Sequence, residues 1–150
     1  SPTLKDGSHT ISVKASDNDG NAAAAKTATF TVDTVPPTLQ ITAPSNDLIT
    51  NKKTVTVSGK TDDVSSKPVT VTVSGVTVTV GTDGTFTKDV TLVEGANTIT
   101  IVAKDKAGKT TTVTRKVTVD TSAPVIKSVT LTRNPVDCGK TFIIAVEITD

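Results

Sequence analysis

The chain has no tryptophan, no tyrosine and no methionine, and it carries three phenylalanines, one histidine and one cysteine. With aromatics at 2% of residues, any core must be filled by Val, Ile, Leu and Ala, and the ring platforms on which sugar sites stack pyranose faces are scarce. Phe30, Phe86 and Phe142 each fall in an alternating strand pattern, where a core position is the expectation. Cys138 has no partner for an intrachain disulfide and sits in a turn-like Asn-Pro-Val-Asp-Cys-Gly stretch, so it reads as a free, exposed thiol. His9 stands beside a strand start with no nucleophilic Ser motif or matching acid to make a triad, and it reads as a solvated strand residue. No Cys/His cluster offers a transition-metal site. The expectation is therefore a chain that is not an enzyme.

Charge of one sign is also missing. Lys+Arg 16 against Asp+Glu 15 leaves a formal +1, scattered along the chain, so no basic stripe exists to neutralise phosphates and nucleic acid is not an expected partner. No apolar run approaches bilayer length, and no signal-peptide pattern opens the sequence, so no membrane partner is expected either. The first residues read as the end of a loop entering a strand, and with no methionine the chain is expected to be a piece of something longer.

What the sequence does have is repetition. Residues 4–20, LKDGSHTISVKASDNDG, align with residues 92–108, LVEGANTITIVAKDKAG, at an offset of 88 (92 minus 4). Leu4, Gly7, Thr10, Ile11, Ala15, Asp17 and Gly20 meet Leu92, Gly95, Thr98, Ile99, Ala103, Asp105 and Gly108. After a one-residue gap, Val32, Asp33, Thr34 and Pro37 meet Val119, Asp120, Thr121 and Pro124 at an offset of 87 (119 minus 32). A unit of that length has the size of a small β-sandwich module.

Within one unit the hydrophobic period is two. Val55 and Val57, Val69 to Val73, Val76 to Val80, Ile99 and Ile101, and Val117 and Val119 alternate with Thr or Lys, placing apolar side chains on one strand face and polar ones on the other. Turn signals separate the runs at Asn51-Lys52, Ser74-Gly75, Asp83-Gly84, Glu94-Gly95 and Ala107-Gly108. About seven strands follow, at 38–42, 54–59, 68–73, 76–80, 85–92, 97–104 and 111–119. Short, regularly spaced strands without helical spacing predict an all-β fold, an immunoglobulin-like antiparallel β-sandwich. Residues 37–120 form the complete module, 1–33 carry the last two strands of a preceding one, and 124–150 the first two of a following one. Ala22 to Ala25 have helical propensity, but the repeat places them in a hairpin loop or strand start.

PPTLQITAPSND, TVTVSGKT, VTVTVGTDGTFTKDVTLVEGANTITIVAKDKAGKTTT and VTVD, in that order, resemble the bacterial Ig-like modules related to the second domain of glucodextranase. The VDTxxP junctions are similar to those of large repetitive bacterial surface proteins. PVIKSVTLTRNPVDCGKTFIIAVEITD, at 124–150, resembles the opening strands of Ig-like modules in tail-associated proteins of phages of Gram-positive hosts. These resemblances imply a spacer, display or adhesion role on a cell surface or virion, outside the cell. Implied partners are neighbouring modules of the same chain and, since such modules often accompany carbohydrate-active enzymes, cell-surface glycans.

The junctions Val32-Asp-Thr-Val-Pro-Pro37 and Val119-Asp-Thr-Ser-Ala-Pro124 leave roughly four residues between modules, a proline-stiffened length that restricts bending. No cofactor is expected apart from a candidate calcium. Asp17, Asn18, Asp19 and Asn21 pack oxygen donors around Gly20, part of the spacing of calcium loops but without the distal bidentate Glu. An Asx-stabilised hairpin turn explains the same residues. The counterpart loop Asp105-Lys-Ala-Gly-Lys109 has lost those ligands. Resemblance to adhesin repeats implies a second place for a metal, at the junction residues Asp33 and Asp120, where it would stiffen the linker.

Overall fold

The computed structural model describes residues 3–131, 138, 139 and 143–149. Its strands are β1 Gly7–Val13, β2 Lys26–Val32, β3 Thr38–Ala43, β4 Leu48–Thr50, β5 Thr54–Asp62, β6 Thr70–Val73, β7 Val76–Val78, β8 Thr85–Thr91, β9 Gly95–Lys104, β10 Thr110–Val119, β11 Val125–Leu131 and β12 Ile144–Thr149. Eight of them make two facing sheets, β3-β5-β8 and β4-β10-β9-β6-β7. No helix occurs among the described residues. The all-β sandwich read from the Thr/Val alternation is the fold of the protein.

The core lies where period two puts it. Val57, Val71, Val73, Ile99, Ile101, Ala103, Val117 and Val119 are each at most 1% exposed, and they come from inward positions of β5, β6, β9 and β10. Burying each Val or Ile is worth about 1.5–3 kcal/mol, and their branched side chains fit the pleat with little rotamer loss. Phe86 is the one aromatic in this interior, 3% exposed. It is paired across the ladder with Gly59.

Two differences from the expected strands have local causes. Residues 68–69 precede β6, because Pro68 has no N–H to give a ladder. An eighth strand, β4, falls in the turn-rich stretch after Pro44, and it pairs with β10 in parallel, Leu48↔Val117 to Thr50↔Val119, whereas the other pairings between strands are antiparallel. The first strand thus switches sheets between Ala43 and Leu48. The switch is pinned from β10: Arg115 donates from Nε to the Pro44 carbonyl at 3.1 Å, and the Lys116 N–H donates to Asn46 Oδ1 at 3.0 Å. The β6–β7 hairpin turns on Ser74 and Gly75 at φ 47° and 81°, the two left-handed residues of the tight turns that match strand twist.

The terminal hairpins differ from the sandwich. β1–β2 and β11–β12 are separate two-stranded sheets, and neither faces a second sheet within the described chain. Their apolar residues are consequently open: Ile11 is 54% exposed, Val13 64%, Ile126 62% and Ile148 57%. Phe30 departs from its expected core position for this reason. It is 38% exposed and stacks on His9 with ring centroids 5.6 Å apart. Ala22 forms an isolated bridge with Ser16 and leads into β2, so the repeat, not helical propensity, describes that segment. Phe142 lies outside the described residues.

Candidate functional site

Three aspartates from separate segments meet beside the joint between β2 and β3. Asp33 follows the last residue of β2, Asp63 the last of β5, and Asp105 the last of β9. One carboxylate oxygen from each lies within 4.8 Å of the others. Strand direction explains the meeting: β5 and β9 both end at the edge of the sandwich where the chain enters β3, so their following loops and the incoming linker converge.

Each aspartate spends one oxygen on its own turn. Asp33 Oδ1 accepts from the Val35 N–H at 3.1 Å. Asp63 Oδ1 accepts from the N–H groups of Ser65 and Ser66 at 2.8 and 2.7 Å, and Asp105 Oδ1 from that of Lys109 at 2.8 Å. These are local side-chain-to-backbone turns of the kind Asp favours. They fix the direction of the remaining oxygens. Oδ2 of Asp33 and Oδ2 of Asp105 are buried and have no hydrogen-bond partner. Among the described residues these are the only buried side-chain polar atoms in that condition. Asp33 is 9% exposed, Asp63 5% and Asp105 5%. Carboxylates at such a separation repel by about 3 kcal/mol per pair at an effective dielectric of about 20, and a buried acceptor with no donor adds a desolvation cost of about 1–3 kcal/mol.

The surrounding loops are braced. Ser66 Oγ accepts from the Ala107 N–H at 2.9 Å, and the Ser66 carbonyl from the Lys106 N–H at 3.3 Å, tying the loop after β5 to the loop after β9. Thr111 donates its hydroxyl to the Pro37 carbonyl at 2.5 Å, and Pro37 is fully buried. The linker is therefore seated on the sandwich rather than passing over it.

The linker is also held from the other side, and the repeat reproduces the device. Thr34 Oγ1 donates to both Asp6 oxygens, at 3.0 and 2.9 Å. Thr121, its counterpart, donates its N–H to Glu94 Oε1 at 2.9 Å and its hydroxyl to Oε2 at 2.8 Å. The backbone N–H of Thr121, then its hydroxyl, hold the Glu94 carboxyl below its ordinary value of 4.5. A carboxylate whose folded-state pKa is lowered stabilises the fold above its ordinary value and loses that contribution as pH falls through the lowered one. Replacing Glu94 with Gln is expected to flatten the fall in melting temperature between about pH 5 and pH 3. An acid limb identical to that of the unaltered chain would show that the Thr121 tie is not formed.

The sequence-derived calcium residues occupy an exposed hairpin loop. Asp17 Oδ1 accepts from the N–H groups of Asp19 and Asn21 at 3.1 and 2.8 Å, and Oδ2 from Asn21 Nδ2 at 2.9 Å. The Asn21 side chain, followed by its N–H, keeps the Asp17 carboxyl below the usual aspartate range. Asn18 and Asp19 are exposed. Asp17 and Asp105 do the same work, since each N–H donates to the carbonyl four residues on, at 3.0 and 3.1 Å. Asp33 joins Asp63 and Asp105, while Asp120 stands at the next joint, exposed, with Oδ1 accepting from Ser122 at 3.0 Å. Sequence reasoning did not single out Asp63. It set Asp105 aside for the loss of its neighbours, although Asp17/Asp105 and Asp33/Asp120 are the two aspartate identities of the repeat.

Other candidates have structural roles. His9 Nε2–H donates to the Lys5 carbonyl at 2.7 Å, and Asn97, its repeat counterpart, donates from Nδ2 to the Val93 carbonyl at 2.7 Å. Both residues close the loop before a strand. Cys138 is exposed and free. An open cleft of about 450 Å³ between Lys60, Asp62, Lys67, Val80 and Asp83 has no aromatic lining. No helix among the described residues is long and apolar enough to cross a membrane.

Residues 37–121 match the family model described as glucodextranase, domain B. Bacillopeptidase F of Bacillus subtilis (strain 168) is 32% identical over 123 residues, which is 82% of this chain and 8% of that protein. Among solved structures, the fibronectin(III)-like modules of Clostridium thermocellum CbhA align with a TM-score of 0.46 at 22% identity, over 78% of this chain and 64% of that one. A tetra-tandem repeat in the extending region of a large adhesion protein aligns with a TM-score of 0.48 at 24% identity, over 96% of this chain and 46% of that one. The chain thus spans less than two thirds of the length of each protein it matches here.

Proposed function

The chain belongs to the glucodextranase domain B family, and from that premise we propose that it acts as a non-catalytic spacer of tandem Ig-like modules in an extracellular bacterial protein. Its task is to hold a binding or catalytic domain at a distance from the surface. The observation that carries this reading is the seated joint: only five residues, 33–37, separate β2 from β3, two of them are prolines, and both ends of the segment are tied by side-chain hydrogen bonds. The same Thr-to-carboxylate tie recurs at the next joint through Thr121 and Glu94. A short linker tied in this way limits bend and twist, so successive modules add their lengths.

A nine- or ten-residue strand at about 3.3 Å per residue plus the linker advances the chain by roughly 40 Å per module. The open faces of β1–β2 and β11–β12 fit completion by further strands of neighbouring modules, since a lone hairpin is marginal in water. Small-angle scattering on three or more modules in tandem is expected to give a maximum dimension that grows by that increment with each added module. A compact particle whose dimension grows more slowly overturns the spacer reading. Glycan contact finds less support, because Phe86 is spent on the core and the cleft between Lys60 and Asp83 has no ring to stack on a sugar.

A further inference from the structure

We propose that Asp33, Asp63 and Asp105 bind a calcium ion that joins the incoming linker to the sandwich. Three carboxylates converge within 4.8 Å, and two of them, Asp33 and Asp105, each carry a buried Oδ2 without a hydrogen-bond partner. Asp105 is 5% exposed and Asp33 9%, so solvent is a poor substitute for the missing donor. Buried acceptors are ordinarily satisfied, and an exception calls for an explanation by an ion or a fixed water. Two such exceptions on converging carboxylates point to a cation, which satisfies both oxygens and cancels the repulsion among the three groups.

The donor set names the class of ion. All three ligands are hard carboxylate oxygens, and neither the one histidine nor the one cysteine of the chain lies in the cluster, which disfavours zinc and the softer metals. Calcium accepts irregular oxygen cages completed by water and backbone carbonyls, whereas magnesium demands an octahedron and holds its own water. The hydrogen bonds from Val35, Ser65, Ser66 and Lys109 to the Oδ1 atoms orient the carboxylates in advance, which lowers the entropic cost of assembling the site.

The consequence for the molecule depends on the spacer reading, though the binding does not. Asp33 belongs to the segment leaving one hairpin, and Asp63 and Asp105 to loops of the next module. An ion held by all three couples the two sides of the joint, so its stiffness follows the calcium concentration. The identity of Asp33 with Asp120 and of Asp17 with Asp105 in the repeat suggests the same arrangement at successive joints.

Isothermal titration of the whole chain, stripped with chelator and titrated with calcium chloride, tests this. One site is expected, with a dissociation constant of about 10⁻⁴ M, in the range of extracellular modules, and with magnesium binding at least tenfold weaker. Asp105→Asn and Asp63→Asn should each weaken calcium binding tenfold or more. Their melting temperatures in chelator should match or exceed that of the unaltered chain, because each removes a like charge, and this separates loss of the ion from loss of the fold. Asp19→Asn, in the exposed loop, should leave binding unchanged. Absence of calcium binding, tighter binding of magnesium, or loss of the calcium response in Asp19→Asn but not in Asp105→Asn overturns the site. Scattering in calcium and in chelator keeps the two readings apart. A collapsed tandem particle under both conditions sinks the spacer while leaving the titration result standing, and absent binding with an extended particle does the reverse.

Discussion

Replacing Ile101 with alanine is expected to destabilise the sandwich by about 3 kcal/mol and to lower its melting temperature by roughly 15 °C, as expected for a module of fewer than about a hundred residues. Ile101 is wholly buried. It sits on β9, opposite Val113 on β10 and Val73 on β6, so the side chain that is cut back lies between two flanking strands that are themselves hydrogen-bonded in place. Such a site relaxes little, and the cavity remains. With one aromatic in the interior, no large flexible side chain is at hand to fill it. The control is Ile49→Ala, whose side chain is 74% exposed on β4 and whose loss is expected to cost less than about 0.5 kcal/mol. Differential scanning calorimetry on both variants decides the matter, and equal shifts would show that the β9 face is not the center of the core.

The second large effect comes from adding a single methyl group. A Cβ at Gly59 would stand 2.5 Å from the Gln40 carbonyl oxygen and 2.8 Å from Phe86 Cζ. The first neighbour is backbone of β3, which cannot yield without disturbing its ladder with β5. The second is the ring that lies across the strand. Gly59→Ala is therefore expected to cost about 2 kcal/mol, measured by urea denaturation. Combining it with Phe86→Leu removes one of the two clashes, so the double variant should be less destabilised than the sum of the single ones. Strict additivity would mean that ring and glycine do not share the space.

The fold was legible because the interior depends on a pattern that sequence displays. Val55, Val57, Ile99, Ile101, Val117 and Val119 announce their common face by spacing alone, and the glycines at 75, 84, 95 and 108, all with positive φ, mark where the chain reverses. β4 was not legible. Three residues are too few to show alternation, and the strand exists because β10 offers an unpaired edge, which is a tertiary cause. Phe30 misled for a related reason: its strand alternates like the others, but alternation says which face a side chain takes and not whether anything covers it.

The acidic cluster was half legible. The repeat marks Asp33 and Asp105 by identity with Asp120 and Asp17, yet nothing in one dimension says that the ends of β2, β5 and β9 meet. Asp63 has a neighbour, Asp62, with which sequence cannot rank it. In the fold Asp62 is exposed and paired with Lys67 at 2.9 Å, while Asp63 turns inward. Density of acidic residues drew attention to Asp17, Asn18, Asp19 and Asn21. Convergence of strand ends, visible only in three dimensions, draws it to the joint.

The parallel pairing of β4 with β10 has a mechanical corollary. A pull applied to the two ends of the module draws the entering strand and the leaving strand past each other lengthwise. The bonds between Leu48–Thr50 and Val117–Val119 are then loaded in shear, all together, whereas an antiparallel hairpin opened from its free ends would unzip one rung at a time. A few rungs that must fail at once resist stretching better than many that fail in turn, so β4, only three residues long, is the latch that keeps the chain from being drawn out.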